Sequence, residues 1–234
     1  MPKSRIIDHE MFEIKRANSD QESMWDGYKF GNYSDFAEIH DDFFDYLVGQ
    51  WVQTLVGSST ATIADAVGGQ LALLTGATED DAITIQRGTI NAATGEAFLP
   101  AAGKTLWFEC RAKISDATQS DFIFGFVIAD TTPISNTAGI YFRKDDGDTN
   151  IDFESNSTTA STATNIATCD TSFHTYGFKV NGTSSIDYWF DGVKKGSITS
   201  QIPTTEMKLT FQVLTGEGAA KTLTIDYFRA VQER

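Results

Sequence analysis

From about residue 42 to the end, apolar and polar positions alternate with a period near two, in short runs separated by Gly, Asp and Ser clusters. Successive side chains of a strand point to opposite faces, so such runs predict half-buried strands. The runs are QWVQTLV (50–56), GGQLALLTG (68–76), DAITIQRG (81–88), KTLWFECRAKI (104–114), SDFIFGFVIAD (120–130) and AGIYFRK (138–144). They continue with TNIDFES (149–155), FHTYGFKVN (173–181), SIDYWFDG (185–192), VKKGSITS (193–200), MKLTFQVLTG (207–216) and KTLTIDYFRAVQ (221–232). Leu106, Phe108, Cys110 and Ala112 share one face of the fourth run. The fifth is apolar almost throughout, as a central strand covered on both faces requires. The Ser/Thr/Ala-rich stretch 155–168 reads as a loop with a weakly apolar strand. About a dozen strands at this spacing predict an all-β fold of two antiparallel sheets packed face to face, over residues 41–234.

Residues 1–40 follow a different pattern. Charges of both signs are mixed with isolated aromatics, Phe12, Trp25, Tyr28, Phe30, Tyr33 and Phe36, with no period of 2 or 3.6. EMFEIKRA supports a turn or two of helix, and DGYKFGNYSD breaks anything longer. This reads as an extended arm. Aromatics on an arm need a surface, so the arm is expected to dock on the domain or on a neighbouring subunit, with Phe12, Trp25, Tyr28 and Phe30 as its partner-binding anchors.

Composition narrows the partners. The 234 residues carry 32 Asp+Glu against 18 Lys+Arg, a net charge of -14, which repels phosphate backbones and excludes nucleic acid as a partner. The basic start has no apolar stretch behind it, and no apolar run approaches the ~20 residues of a membrane helix, so synthesis and folding in the cytoplasm, without a membrane partner, are expected. Two cysteines, Cys110 and Cys169, make no disulfide framework and read as buried free thiols. The sequons at Asn32, Asn156 and Asn181 read as chance matches in that setting.

The stretch FHTYGFKVNGTSSIDYWFDGVKKGS carries two aromatic strands ending in Asn-Gly and Asp-Gly, both hairpin signals. It resembles the back of a concanavalin A-like jelly roll, the fold of legume lectins, laminin G domains and several glycosidases. Tyr188 to Val193 match that fold's recurrent aromatic-x-Asp-Gly-Val phrase. The resemblance implies a two-sheet antiparallel jelly-roll sandwich with an extended N-terminal arm. A narrower likeness lies in LWFECRAKISDATQSDFIFGFVIADTTP, GIYFRKDDGDTNIDF and TLTIDYFRA. These phrases resemble structural proteins of tailed phage virions built on the same sandwich. That likeness implies a capsid decoration or cement protein at the virion surface, without catalysis, whose partners are the major capsid protein and further copies of itself, with a trimer suited to a shell lattice.

YFRKDDGDTNIDFES concentrates the candidate chemistry. One jelly-roll glucanase family carries Glu-x-Asp-x-Glu on a strand, so that three carboxylates enter one cleft as nucleophile, modulator and acid/base. The corresponding triplet here is Asn150, Asp152 and Glu154. An amide is no nucleophile at the anomeric carbon, so the expectation is an ordinary strand with Ile151 and Phe153 inward. Asp146, Asp148, Asn150 and Asp152 have the spacing of calcium ligands, but an EF-hand needs Gly at position 6 and Glu at position 12, where Ile151 and Ser157 stand. A hairpin with Gly147 in the left-handed position is the plainer reading, with no metal or other cofactor.

None of His9, His40 and His174 has a partner at metal spacing, and His174 reads as a packing or hydrogen-bonding residue. No P-loop, Gly-x-Ser-x-Gly elbow or Cys-x-x-Cys occurs, and Trp51, Trp107 and Trp189 read as packing residues in strands. Three functions remain open: a non-enzymatic capsid-bound structural protein, a lectin-like module that attaches to surface glycans, and, behind both, a glycoside hydrolase.

Overall fold

The computed structural model describes residues 23–29, 33–64, 66–88, 97–135 and 138–234. The strands are β1 (Phe36–Asp41), β2 (Trp51–Leu55), β3 (Thr60–Ala64), β4 (Gln70–Leu74) and β5 (Ala82–Arg87). They continue as β6 (Thr105–Ile114), β7 (Ser120–Val127), β8 (Gly139–Lys144), β9 (Asn150–Asn156) and β10 (Ala160–Thr168). The last are β11 (His174–Asn181), β12 (Ser185–Phe190), β13 (Val193–Ile198), β14 (Lys208–Thr215) and β15 (Thr222–Glu233).

Among the described residues these form two antiparallel sheets. The eight-stranded sheet has the order β13-β12-β11-β6-β15-β4-β3, with β1 also paired to β15. The seven-stranded sheet has the order β10-β9-β8-β7-β14-β5-β2. This is the all-β jelly-roll sandwich that the alternation and the resemblance predict. Two strands go beyond the sequence reading. β1 draws residues 36–40 of the expected arm into the sheet, and β3 is a short edge strand of small residues, TATIA.

The two inner faces meet in an aromatic layer. Phe108, Phe124, Phe126, Phe142, Phe153, Phe178, Phe211 and Phe228 are fully buried in it. Their rings interlock, as in the Phe108–Phe178 stack at 5.1 Å and the edge-to-face pair Phe124–Tyr176 at 4.8 Å. Each such side chain contributes about 1.5–3 kcal/mol of transfer free energy, with roughly 0.5–1.5 kcal/mol more for a well-placed pair. Cys110 and Cys169 are buried free thiols. Burial raises both, Cys110 well above the ordinary thiol range and Cys169 to about 11.

The outer face of the eight-stranded sheet is covered by the chain's own leading segment. Met24 and Tyr28 pack with Phe36 on Trp107, Trp189 and Val231. The Arg229 guanidinium lies 4.6 Å from the ring centroids of both Trp25 and Tyr28. Polar contacts fix the same segment: Trp25 Nε1 donates to Glu109 Oε2 (3.2 Å), Tyr28 Oη to Glu38 Oε2 (2.6 Å) and Lys179 Nζ to the Asp26 carbonyl (3.0 Å). Burial first, then the bond to Glu38, pushes the Tyr28 phenol up to about 12.

Arg229 also donates from Nε to Glu38 Oε1 (2.7 Å), and both side chains are largely buried. Replacing Arg229→Ala removes two ring contacts and leaves the Glu38 carboxylate without its cation. The expected cost is about 2–3 kcal/mol, with a red-shifted tryptophan emission as Trp25 leaves the sheet; a denaturant titration followed by fluorescence measures both.

Candidate functional site

Strand β9 presents its polar side chains on the outer face of the seven-stranded sheet. Ile151 and Phe153 are fully buried in the core, so Asn150, Asp152 and Glu154 point the other way. The hairpin reading of the preceding residues holds. β8 and β9 pair antiparallel, and Gly147 takes φ 73° at the tip, a conformation that glycine adopts without strain. Three of the four residues at calcium spacing are tied up in hydrogen bonds. Asp148 accepts from the Asn150 backbone (2.9 Å) and side chain (3.0 Å), while Asp152 Oδ1 accepts the Asn165 N–H (2.7 Å). Among the described residues no group of three His, Cys, Asp or Glu side chains is gathered to hold a metal ion.

The register places Glu154 between Thr162 of β10 and Tyr141 of β8, and places Asp152 beside Arg143. Glu154 is 7 % exposed. Its Oε1 accepts from Thr162 Oγ1 at 3.3 Å, and its Oε2, closed off from solvent, lies 3.9 Å from an Arg143 nitrogen. The Arg143 Nε donates to Asp145 (2.6 Å). Burial raises the Asp152 carboxyl; the Asn165 N–H opposes that, and the charges of Asp145 and Asp148 reinforce it. Burial, then the charge of Glu154 and a hydrogen bond to it, raises the Tyr141 phenol. A β-bulge in β10 between Ala163 and Ala167, with Asn165 at φ 56°, aims that N–H at Asp152.

The middle of this face is covered from within. Residues 128–135 run across β14 and β5, where buried Thr84, Gln86, Thr210 and Gln212 hold them. Gln86 Nε2 donates to the Ile128 carbonyl (3.1 Å), Gln86 Oε1 accepts the Asp130 N–H (3.1 Å), and Gln212 Oε1 accepts the Ile134 N–H (2.9 Å). Ile134 then packs on Ile123, Val127 and Tyr141. Gly125 makes room for Tyr141: a Cβ there would sit 2.4 Å from the Ile140 carbonyl oxygen. The polar surface at β8, β9 and β10 is what remains outside this cover.

The residues singled out for partner binding lie elsewhere. Trp25 and Tyr28 dock on the opposite sheet of their own chain, whereas Phe12 and Phe30 lie outside the described residues. Trp51 is in the core, and Trp107 and Trp189 pack under the leading segment. No tryptophan therefore stands beside Glu154. Arg143, Thr162 and Asn165 join this face without having been singled out by spacing or motif. For Arg143 a signal existed, since it shares the outer face of its strand with Tyr141; the bulge that presents Asn165 left none.

No protein-family model matches the chain, and no curated protein sequence does. Solved structures do match. A Bacillus licheniformis β-glucanase aligns with TM-score 0.59 at 17% identity, covering 82% of this chain and 97% of its own. An endo-β-1,4-glucuronan lyase from the fungus Trichoderma reesei aligns with TM-score 0.54 at 11% identity, covering 82% and 94%. A Shewanella oneidensis MR-1 protein of unknown function aligns with TM-score 0.55 at 13% identity, covering 85% and 87%. At these identities the likeness establishes a shared jelly-roll fold. It also corrects the expectation of a chain without catalysis, since a glucanase and a lyase are built on the same two sheets.

Away from this face, His174 joins two carboxylates that its sequence neighbours did not announce as a pair. Its Nδ1 is 2.7 Å from Asp191 Oδ2, its Nε2 is 3.1 Å from Asp170 Oδ1, and the ring stacks on Phe190. Burial disfavours the imidazolium, but the bonds to Asp191 and Asp170, with their charges, outweigh it and raise the His174 pKa. The stabilisation is therefore whole below the unfolded value of about 6.5 and is lost as pH rises through the higher folded value. Thermal melts of the wild type and of His174→Gln should differ most near pH 6 and converge in alkali.

Proposed function

We propose that the chain binds glycan on the outer face of the seven-stranded sheet, along β8, β9 and β10. The observation that carries this is the half-buried Asp152 carboxylate, which stands on this face opposite Arg143 with one oxygen on the Asn165 N–H. A carboxylate has about four lone-pair sites, so it accepts a ligand hydroxyl as well as a backbone N–H. Glu154, two residues along the same face and about 7 Å away by strand rise, is largely buried and adds negative charge behind it. Arg143 supplies donors beside both. An acceptor beside a guanidinium suits the vicinal hydroxyls of a sugar. Asp145, Asp146 and Asp148 add negative charge at the neighbouring hairpin tip, which favours neutral sugars over uronates. The fold shared with a β-glucanase supports the same ligand class.

A second reading is attachment to a phage head as a capsid-decorating virion protein, with the major capsid protein and further copies as partners. It is supported by the aromatic anchoring of segment 23–28, which gives the leading end of the chain a fixed point of departure. Co-sedimentation with phage heads, retained by the full chain and lost on removing residues 1–22, is the expected result; equal sedimentation of both forms would exclude a role for that end.

Calorimetric titration with β-glucan oligosaccharides tests the first reading. Asp152→Asn should weaken binding about tenfold while the melting temperature holds, because the amide oxygen still accepts the Asn165 N–H and only the charged acceptor is lost. Assay of new reducing ends in the same mixtures reads cleavage directly. If no oligosaccharide on a glycan array binds, or if Asp152→Asn binds as well as the wild type, the proposal fails.

A further inference from the structure

We propose that the side of the sandwich bounded by β2 and β3 is a docking surface for a protein partner whose contact is apolar at its centre and bordered by lysine or arginine. This surface lies at the edge opposite β9 and β10 and is independent of the glycan face.

Three observations converge on it. The first is the pair of edges. β2 is outermost in one sheet and β3 in the other, and the two are consecutive in the chain. Exposed edges are ordinarily guarded by charge, proline or a bulge. WVQTL and TATIA contain no charged residue and no proline, and their pairings with β5 and β4 run without a register shift.

The second is apolar exposure at one end of these strands. The loop before β2 and the turn after β3 meet there, for a Cβ on Gly69 would lie 2.4 Å from the Phe43 carbonyl oxygen. Phe44 is 79% exposed, Val48 59% and Val67 103%. Ile63 faces inward like its partner Leu71 yet remains 37% exposed, because no described residue closes the gap beside it. Phe44 and Ile63 line a depression of about 360 Å³ with Ala64, Ala66, Gly68 and Gly69. Large side chains gathered in this way mark interaction sites.

The third is charge. Between Lys29 and Arg87 the sequence has no lysine or arginine and nine carboxylates. Arg87 itself lies over the Trp51 ring at 5.3 Å. Asp42 and Asp45 flank Phe44. A second copy would bring the same negative rim and a net charge of -14 to the contact, and an anionic bilayer would meet the same repulsion. A cationic rim on another protein complements it.

The probe is a fluorescein-labelled peptide of alternating valine and lysine, able to add to a strand edge. Controls replace its valines by serine or its lysines by glutamate. Fluorescence anisotropy with the full chain should show binding about tenfold tighter than either control, weakening toward half-molar salt. The double variant Phe44→Ser, Val67→Ser should lose about tenfold while its melting temperature holds, since both side chains are exposed. Asp152→Asn should leave peptide binding unchanged. No binding, equal binding of the valine–lysine and serine–lysine peptides, or insensitivity to the double variant would overturn the proposal. A dimer in analytical ultracentrifugation that the double variant converts to monomer would also overturn it, by assigning the surface to a second copy.

Discussion

Phe153 lies against Phe142, Phe178 and Tyr188, with ring centroids 5.0, 5.6 and 4.6 Å away, and this packing fixes what β9 shows to solvent. A strand cannot bury Phe153 and Ile151 without turning Asp152 and Glu154 outward. A slip of one residue would drive two carboxylates into an aromatic layer and expose two apolar side chains, so the register has one acceptable value. The same layer aligns β8 beside β9, which brings Arg143 to the carboxylates. The geometry of the polar face is thus set by apolar contacts on its reverse side.

The parts of the fold legible in the sequence are those where burial is asymmetric. Leu106, Phe108, Cys110 and Ala112 alternate on β6 and all face the core, as their spacing predicts. The apolar run of β7 is covered on both faces, and the second cover is Ile134 from the segment that follows it. Strands with little to bury were harder to read. In β3 most positions are exposed, and its small residues carry no period. β1 sits among mixed charges, and its pairing is with the far end of the chain, which no local pattern can encode. Of the polar face, the triplet on β9 was readable from alternation. The contribution of Asn165 depends on a bulge and that of Thr162 on inter-strand register, both products of tertiary pairing.

The sandwich treats its two outer surfaces differently. One is sealed by the leading segment through Trp25, Tyr28 and Arg229, so that a tryptophan-rich sheet surface is hidden. The other is sealed only across its middle, by backbone groups of residues 128–135 held on two buried glutamines. Side-chain amides suit that task because each supplies a donor and an acceptor to a segment lacking strand partners. The polar strip and the apolar edge lie on opposite flanks of this cover. Occupation of one flank therefore leaves the other accessible, a separation that sheet order alone enforces.

The burial of both native thiols has a practical corollary. Reagents that alkylate sulfur need a thiolate within reach of solvent, and neither Cys110 nor Cys169 supplies one near neutral pH. A cysteine engineered at an exposed site would react alone, with the natural pair left in place. Spin labels or dyes could then be installed singly on either flank of the folded chain, and distances between the flanks followed without first rebuilding the core.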